Sequence, residues 1–279
     1  AADGQITTTA ALSGNLKSLF TLSIVDRLLL KNIPVLMISP EMTYEQTLDR
    51  EFAMRGKINI KNIIHIEEES RIWNKINPLL NEFKAHKNFI FTDKGGLSIK
   101  DVEKRIVRAK SKFRNLGAFK NGDEYIFVVI DLLSMITDFA GATPQIIEKN
   151  LNILLDIAKK HGVHIFGVIQ ANEGQLRENR VPFEIPADVD NFKLGLGDIK
   201  HGSAWRERSR VMMTITRPLE MKKLYFPEHM DEWKLSKDIL KIHVLKQNEG
   251  DLGYCRFAFD KETLSIYPYK GKEIQEEGE

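Results

Sequence analysis

The sequence predicts an α/β fold: a mostly parallel central sheet flanked by helices, with antiparallel strands near the C-terminus. Up to Gln170, short apolar runs alternate with amphipathic stretches, a pattern typical of parallel strands joined by crossover helices. After residue 210, four strand-like segments follow one another with short turns, which indicates antiparallel hairpins. Composition does not change abruptly anywhere, so we expect residues 1–279 to form a single domain, with an acidic tail at 272–279 that is disordered.

Strands are predicted where apolar and β-branched residues run together between turn residues. These segments are QITTTAAL (5–12), IPVLMIS (33–39), NIIHI (62–66), NFIFT (88–92), YIFVVID (125–131), HIFGVIQ (164–170), RVMMTIT (210–216), ILKIHVL (239–245), YCRFAFD (254–260) and LSIYPY (264–269). Helical spacing is found between them at 19–29, 98–113 and 144–162. The last helix is expected to start after Thr143-Pro144 and to stop at Gly162, because those residues favour helix ends.

Composition limits the class of protein. With 42% hydrophobic and 29% charged residues the chain is typical of a globular protein, and no run of 18 apolar residues predicts a membrane span. The single cysteine, Cys255, excludes an intramolecular disulfide and fits a reducing compartment, so we expect a cytoplasmic protein. The net charge of +2 means that any contact with nucleic acid must come from local basic patches.

The stretch AALSGNLKSLF, residues 10–20, resembles the phosphate-binding loop G-x-x-x-x-G-K-[ST] in its Lys17-Ser18 pair, but Leu16 stands where the glycine before the lysine belongs. A loop that opens a helix offers backbone N–H groups and the helix dipole to phosphate oxygens. We predict that Ser13, Gly14, Asn15 and Leu16 form this loop, that Lys17 meets the terminal phosphates and that Ser18 is a Mg²⁺ ligand. Gly14 is expected to take the unusual backbone angle in place of Leu16. The alternatives are a chance match and a former nucleotide site that no longer binds ATP.

Three further polar residues follow predicted parallel strands. In an open parallel sheet ligands bind at the carboxyl ends of the strands, where Glu41, Asp131 and Gln170 stand. Glu41 is a candidate to orient or deprotonate a water, Asp131 to assist the metal and Gln170 to sense a terminal phosphate. Each of them alone is explained equally well as a turn former or a cap. Their joint pattern with the loop favours a nucleotide site.

The order of motifs resembles one family, the RecA-fold ATPase domain of DnaB-type replicative helicases, including phage versions. The resemblance covers nearly the whole chain and includes, besides GQITTTAALSGNLKS, a Ser-x-Glu-Met segment whose helix carries Arg50. The matching segments are MISPEMTYEQTLDREFA, FTDKGGLSIKDVEKRIVRAK, FVVIDLLSMI, LNILLDIAKKHGVHIFGVIQANEGQLRENR, DIKHGSAWRERSRVMMTITR and KIHVLKQNEGDLGYCRFAFD.

This resemblance implies a P-loop ATPase that forms a hexameric ring, hydrolyses ATP with Mg²⁺ between subunits and pulls single-stranded DNA through its centre. It implies that Glu41 is the catalytic carboxylate, that Asp131 lies beside the metal and that Gln170 is the phosphate sensor. A primase or a helicase loader would be a partner, and the host cytoplasm would be the location if the protein is phage-encoded. In the family a Lys-x-Arg pair reaches the neighbouring subunit's ATP; here Lys246 is retained and Asn248 replaces the arginine.

The same resemblance places DNA contacts in the loop between Asn172 and Gly202. We expect Arg177, Arg180, Lys200, His201 and Ser203 to contact the DNA backbone, which would give sequence-indifferent, salt-dependent binding. Two other functions stay open. One is a RecA- or RadA-like recombinase that uses the same ATP site in filaments. The other is a catalytically weak RecA-fold scaffold or loader, for which Leu16 and Asn248 would be the evidence.

Overall fold

A nine-stranded sheet organises the computed structural model, which describes residues 4–65, 71–120, 122–172, 185–229, 231 and 238–269. The strand order is β3-β2-β4-β5-β1-β6-β7-β8-β9. The first six strands in this order pair in parallel, and β7, β8 and β9 are added in antiparallel fashion. The strands are β1 (Gln5–Ala11), β2 (Val35–Ile38), β3 (Phe89–Thr92), β4 (Ile126–Asp131), β5 (Val163–Gln170), β6 (Val211–Thr216), β7 (Ile239–Gln247), β8 (Tyr254–Asp260) and β9 (Ser265–Pro268).

The sheet is covered by helices on both faces, as the continuous apolar strands predict. Alternate residues of β4 belong to different cores: Val128 packs in one and Val129 in the other. Helices α1 to α4 contribute to the core that contains Val129, and α5 to α9 contribute to the core that contains Val128. The helices are α1 (Lys17–Leu30), α2 (Tyr44–Gly56), α3 (Ile60–Ile64), α4 (Trp73–Ala85), α5 (Ile99–Asn115), α6 (Pro144–His161), α7 (Pro186–Asn191), α8 (Gly202–Arg208) and α9 (Pro218–Tyr225).

Helix ends follow local chemistry. Helix α6 begins after the Thr143 side chain, which accepts a hydrogen bond from the Ile146 N–H, and it ends at Gly162 with a left-handed φ of 56°, so both predicted ends are confirmed. A capping box of Thr43 and Gln46 fixes the start of α2.

The predicted strand at 62–66 is wrong. Residues 60–64 form α3, and residue 66 lies outside the described residues. The Asn59 side chain accepts a hydrogen bond from the Lys61 N–H at 3.0 Å and so caps a helix. Ile63 is buried while Ile64 is 60% exposed, so this short run has one inward side chain rather than the continuous burial of a central strand.

Strand register places the predicted site residues at one edge of the sheet. Ala11, the last residue of β1, pairs with Gln170, the last residue of β5. Asp131 ends β4 beside Val168 of the same neighbouring strand.

No helix in the described ranges is long and apolar enough to span a bilayer. The tail at 272–279 lies outside those ranges.

Candidate nucleotide-binding site

A cleft of about 510 Å³ opens at the carboxyl edge of the sheet, between the loop after β1, the end of β2 and helix α2. Six residues predicted for the site line it together: Ser13, Gly14, Leu16, Lys17, Ser18 and Glu41. Its remaining walls are Leu19, Gln46, Asp49, Arg50, Ile60, Ile64 and Leu264. The cleft therefore has a polar end at the loop and an apolar end near α3 and the turn before β9.

The backbone of the loop has two left-handed residues, Gly14 with φ 73° and Leu16 with φ 59°. The expectation that Gly14 takes this angle in place of Leu16 is wrong, because both residues do. Leu16 adopts a conformation that glycine reaches without steric cost, and its partly buried side chain packs beside the apolar cluster of Leu19 and Leu22. The left-handed turn before α1 is therefore kept, although leucine replaces glycine at position 16.

Lys17 and Ser18 begin α1 and face the cleft. The Lys17 ammonium is largely buried and donates to the carbonyl oxygen of Leu12 at 3.0 Å. The N-cap position of α1, Leu16, provides no side-chain hydrogen bond to the first turn. An anion at this helix start therefore meets backbone N–H groups, a cation and the positive end of the helix dipole.

Asp131 lies behind these residues and is 1% exposed. The pKa of its carboxyl is raised to about 6, chiefly by burial and also by Glu41, against the opposing effects of Ser18, Lys17 and Arg50. Neither carboxylate oxygen has a hydrogen bond of regular geometry among the described residues. A buried acid with two unsatisfied oxygens next to a serine hydroxyl suits Mg²⁺, which takes few protein ligands and completes its shell with water and phosphate oxygens.

Arg50 is a cleft residue that the sequence marked only as part of the resemblance. It projects from α2, is half-buried and lines the cleft with Glu41, whose own side chain is exposed. Burial lowers the pKa of Arg50, while Asp131 and Glu41 raise it. The signal that could have found it is the helix following the Ser-x-Glu-Met segment, because that helix begins at the mouth of the site.

Asn15 does not line the cleft, although it was predicted to bind the cofactor. Its side chain is buried, accepts a hydrogen bond from the Arg217 N–H at 2.7 Å and donates to the carbonyl oxygen of Ser13 at 3.2 Å. These bonds hold the loop to the strand end of β6. The physical reason is that an inward-facing amide within a tight turn satisfies buried backbone groups.

Gln170 lies next to the cleft rather than within it. It lines a separate cavity of about 210 Å³ together with Ser134, Lys200 and His201. His201 precedes α8 with a left-handed φ of 59°, and Ser203 is exposed in the first turn of that helix. The structure thus brings Gln170 to the predicted DNA-contact turn. Arg177 and Arg180 lie outside the described residues.

Lys246 does not belong to the cleft of its own chain. Its ammonium donates to the carbonyl oxygens of Arg206 and Glu207 at 2.9 and 3.1 Å, at the end of α8. Strand β7 runs away from the loop edge, because its last residue, Gln247, pairs with the first residue of β6, Val211. Asn248 is exposed just beyond that point.

Two of the arginines that follow Trp205 make local ion pairs. Arg208 pairs with Glu148 of α6, and Arg210 pairs with Glu249 in the turn after β7. Two histidines make contacts within the fold: His161 lies 2.9 Å from Glu103, and His164 lies 3.1 Å from the Thr7 hydroxyl.

A phosphate-binding loop that opens a helix, with an acid at the end of a neighbouring parallel strand, defines the class of P-loop nucleotide-binding α/β proteins. The family model described as DnaB-like helicase C terminal domain matches residues 1–267. The chain therefore belongs to this family of replicative helicase ATPase domains, as the motif order predicts.

Individual relatives agree with this assignment. The replicative DNA helicase DnaB of Buchnera aphidicola subsp. Baizongia pistaciae (strain Bp) is 22% identical over 246 residues, which cover 88% of this chain and 47% of that protein. The solved ATPase domain of G40P superposes with a TM-score of 0.76 at 19% identity, over 97% of this chain and 86% of that one. A DnaB-like replicative helicase, solved in work on its interactions with primase, gives a TM-score of 0.74 at 19% identity over 95% and 57% of the two chains.

The two structural likenesses confirm the predicted RecA-like fold. The chain spans about half the length of the curated DnaB relative that it matches.

Proposed function

We propose that this chain is the ATP-hydrolysing motor domain of a replicative helicase, which translocates on single-stranded DNA and unwinds duplex. The observation that carries the proposal is the meeting of Lys17, Ser18, Glu41 and Asp131 at one edge of the sheet. One sheet that runs from Gln5 to Pro268 supports treating residues 1–279 as a single domain.

The residues have separate tasks in hydrolysis. Lys17 and the loop N–H groups bind the β- and γ-phosphates of ATP, which bear the charge that develops during phosphoryl transfer. Ser18 and Asp131 would hold Mg²⁺, which neutralises phosphate charge when bound. Glu41, exposed to solvent at the cleft mouth, positions the attacking water and accepts its proton.

A ring of several copies accounts for Lys246. Since its hairpin points away from its own cleft, Lys246 can act on a nucleotide only in another subunit, which supports the proposed hexamer. We propose that the turn before α8 contacts the DNA backbone through Lys200, His201 and Ser203. Gln170 lies beside this turn and would couple the presence of the terminal phosphate to its position. Arg177 and Arg180 remain proposed DNA contacts. A primase or loader is the proposed partner, and the cytoplasm the proposed location.

A catalytically weak scaffold or loader is the second candidate, and Asn248 is the observation that favours it. An arginine that stabilises the transition state typically contributes ~10³–10⁵ in rate, and the Asn248 amide carries no charge. Leu16 does not favour it, because the loop keeps its left-handed turn. A recombinase with the same ATP site would form filaments and exchange strands.

The test compares ATP hydrolysis by the unchanged protein and by Glu41→Gln, with and without single-stranded DNA. We expect DNA-stimulated turnover that is lost in Glu41→Gln while ATP binding is kept. Unwinding of a forked duplex would then separate a helicase from a recombinase, which would exchange strands without unwinding. Absence of both turnover and nucleotide binding would overturn the proposal in favour of the scaffold.

A further inference from the structure

A further cavity, of about 630 Å³, lies between the end of α8, strand β7 and the turn before β8. It shares no lining residue with the nucleotide cleft. Two cations, Lys193 and Arg206, line it, and the described residues contribute no carboxylate to its walls. A cavity with fixed positive charge and no acid attracts an anion.

The carboxylates on the elements around this cavity do not neutralise it. Asp190 of α7 and Glu249 in the turn after β7 are each held in an ion pair with another residue. Glu207 of α8 and Asp251 are exposed and do not line the cavity. Arg206 is itself exposed and, among the described residues, has no carboxylate in ion-pair contact. It therefore offers its guanidinium to a ligand from outside the chain.

Tyr254 contributes an aromatic ring to the same cavity and is 58% exposed. Its ring lies 5.6 Å from the imidazole of His243, the residue that it pairs with on β7, and the Arg256 guanidinium lies 5.2 Å from the centre of the tyrosine ring. Burial, followed by Lys241 and Lys193, lowers the pKa of His243 to about 4, so its imidazole is neutral at pH 7 and adds aromatic surface rather than charge. A tyrosine that is supported in this way and still open to solvent is suited to stack on a flat ring.

Helix α8 joins this cavity to the turn that is proposed to contact DNA. His201 immediately precedes the helix and lines the smaller cavity beside Gln170, whereas Arg206 lies near the other end of the helix and lines this one. With a rise of 1.5 Å per residue, the two positions are about 8 Å apart along the helix axis. One strand of nucleic acid spans that distance within a few nucleotides, so a strand on the turn can also reach the cavity.

The ligand that matches these groups combines a flat ring with a neighbouring negative charge. A base within a single strand has an open face for stacking, whereas the bases of a duplex are covered by their neighbours. We propose that this cavity binds a nucleotide of single-stranded nucleic acid, with its base stacked on Tyr254 and its phosphate bound by Arg206 in the positive field of Lys193. The inference extends the DNA path of the proposed function and rests on it, but it needs no ATP hydrolysis.

The experiment measures the binding of a fluorescently labelled oligothymidylate to the full chain by anisotropy, over a series of salt concentrations. Tyr254→Ala is expected to weaken binding roughly tenfold, whereas Tyr254→Phe keeps the ring and stays within about twofold. Arg206→Ala is expected to reduce the slope of log affinity against log salt concentration by about one. The matched controls, Tyr267→Ala on β9 and Arg27→Ala on α1, remove an exposed ring and an exposed guanidinium outside the cavity and should change neither value.

Photocrosslinking of the same oligonucleotide with 5-iodouracil in place of one thymine locates the contact. A crosslink on Tyr254, found by mass spectrometry of the peptides, supports the site. Crosslinks that fall only on other residues overturn it.

The remaining outcomes separate this site from the function on which it rests. If Lys200→Ala weakens binding while Tyr254→Ala does not, the proposed DNA turn stands and the cavity is excluded. If Tyr254→Ala dissociates the assembled copies of the chain in sedimentation, the surface is an interface between copies and the assignment is wrong. If the unchanged protein binds no single strand, the DNA contacts of the proposed function fail together with this one.

Discussion

Leu16 and Gly14 both have left-handed backbone angles within one loop, with φ of 59° and 73°. A left-handed residue with a side chain costs about 1–2 kcal/mol, and β-branched residues tolerate it least. We expect Leu16→Val to lower the free energy of unfolding by about 1–2 kcal/mol and to weaken ATP binding, because the loop must distort. Leu16→Gly is expected to keep ATP affinity within a few-fold. Calorimetric titration measures the ATP affinity of each variant, and urea unfolding measures its stability. If Leu16→Val binds ATP as tightly as the unchanged protein, the left-handed angle at position 16 is not required for binding.

Asn15 is expected to be a structural residue of the loop. Asn15→Ala leaves the buried Arg217 N–H without its acceptor, which costs about 1–3 kcal/mol in the free energy of unfolding. Ser13→Ala, at an exposed position of the same loop, is the matched control and should change stability by less than about 0.5 kcal/mol. Urea unfolding measures both variants. A loss of nucleotide affinity by Asn15→Ala at unchanged stability would instead return Asn15 to the set of ligands.

Asp131 should matter for the metal rather than for the nucleotide alone. Asp131→Asn keeps the shape of the side chain and removes the negative charge that a divalent cation needs. We therefore expect the increase in ATP affinity produced by Mg²⁺ to be lost, while affinity measured in EDTA stays within about threefold of the unchanged protein. Titration of ATP with and without Mg²⁺ tests this. A variant that keeps the full Mg²⁺ effect would exclude Asp131 from the metal site.

Much of the sheet and the motif order could be predicted because fully buried parallel strands have no polar face. The strand of Ile126–Asp131 is buried at every position, so its apolar run is unambiguous, and the residue that ends it necessarily lies at the ligand-binding edge. The segment 62–66 could not be predicted in this way. Five apolar-rich residues fit either a strand or one helical turn, and the Asn59 cap decided between them.

Side-chain direction in the site could not be predicted. Nothing in the one-letter pattern distinguishes Asn15, which turns inward to Arg217, from Ser13, which is exposed. The contribution of Arg50 depends on how α2 packs over the cleft, which is a tertiary property. The separation of Lys246 from its own site follows from the antiparallel register of β6 and β7, which a sequence does not reveal.

Glu51 makes stability fall as pH rises. It is 1% exposed, and burial, with Asp26 second, raises the pKa of its carboxyl from 4.5 to about 8, against the opposing effect of Arg55. A group whose pKa is higher in the folded state stabilises the fold below its unfolded pKa and loses that contribution as pH passes through the folded value. Relative to Glu51→Gln, the unchanged protein should therefore lose roughly 2–4 kcal/mol of unfolding free energy between pH 5 and pH 9. Urea unfolding across this range measures it, and Glu45→Gln, exposed on the same helix, should run parallel to the unchanged protein.

Asn248 is the position at which a guanidinium could act from the neighbouring subunit. In the assembled ring, Asn248→Arg is expected to raise DNA-stimulated hydrolysis by about tenfold or more, since a transition-state arginine contributes up to ~10³–10⁵. Asn248→Gln is the uncharged control and is expected to leave turnover unchanged. Steady-state turnover of the three proteins tests this, and an equal rate in Asn248→Arg and Asn248→Gln would show that charge at position 248 does not assist hydrolysis.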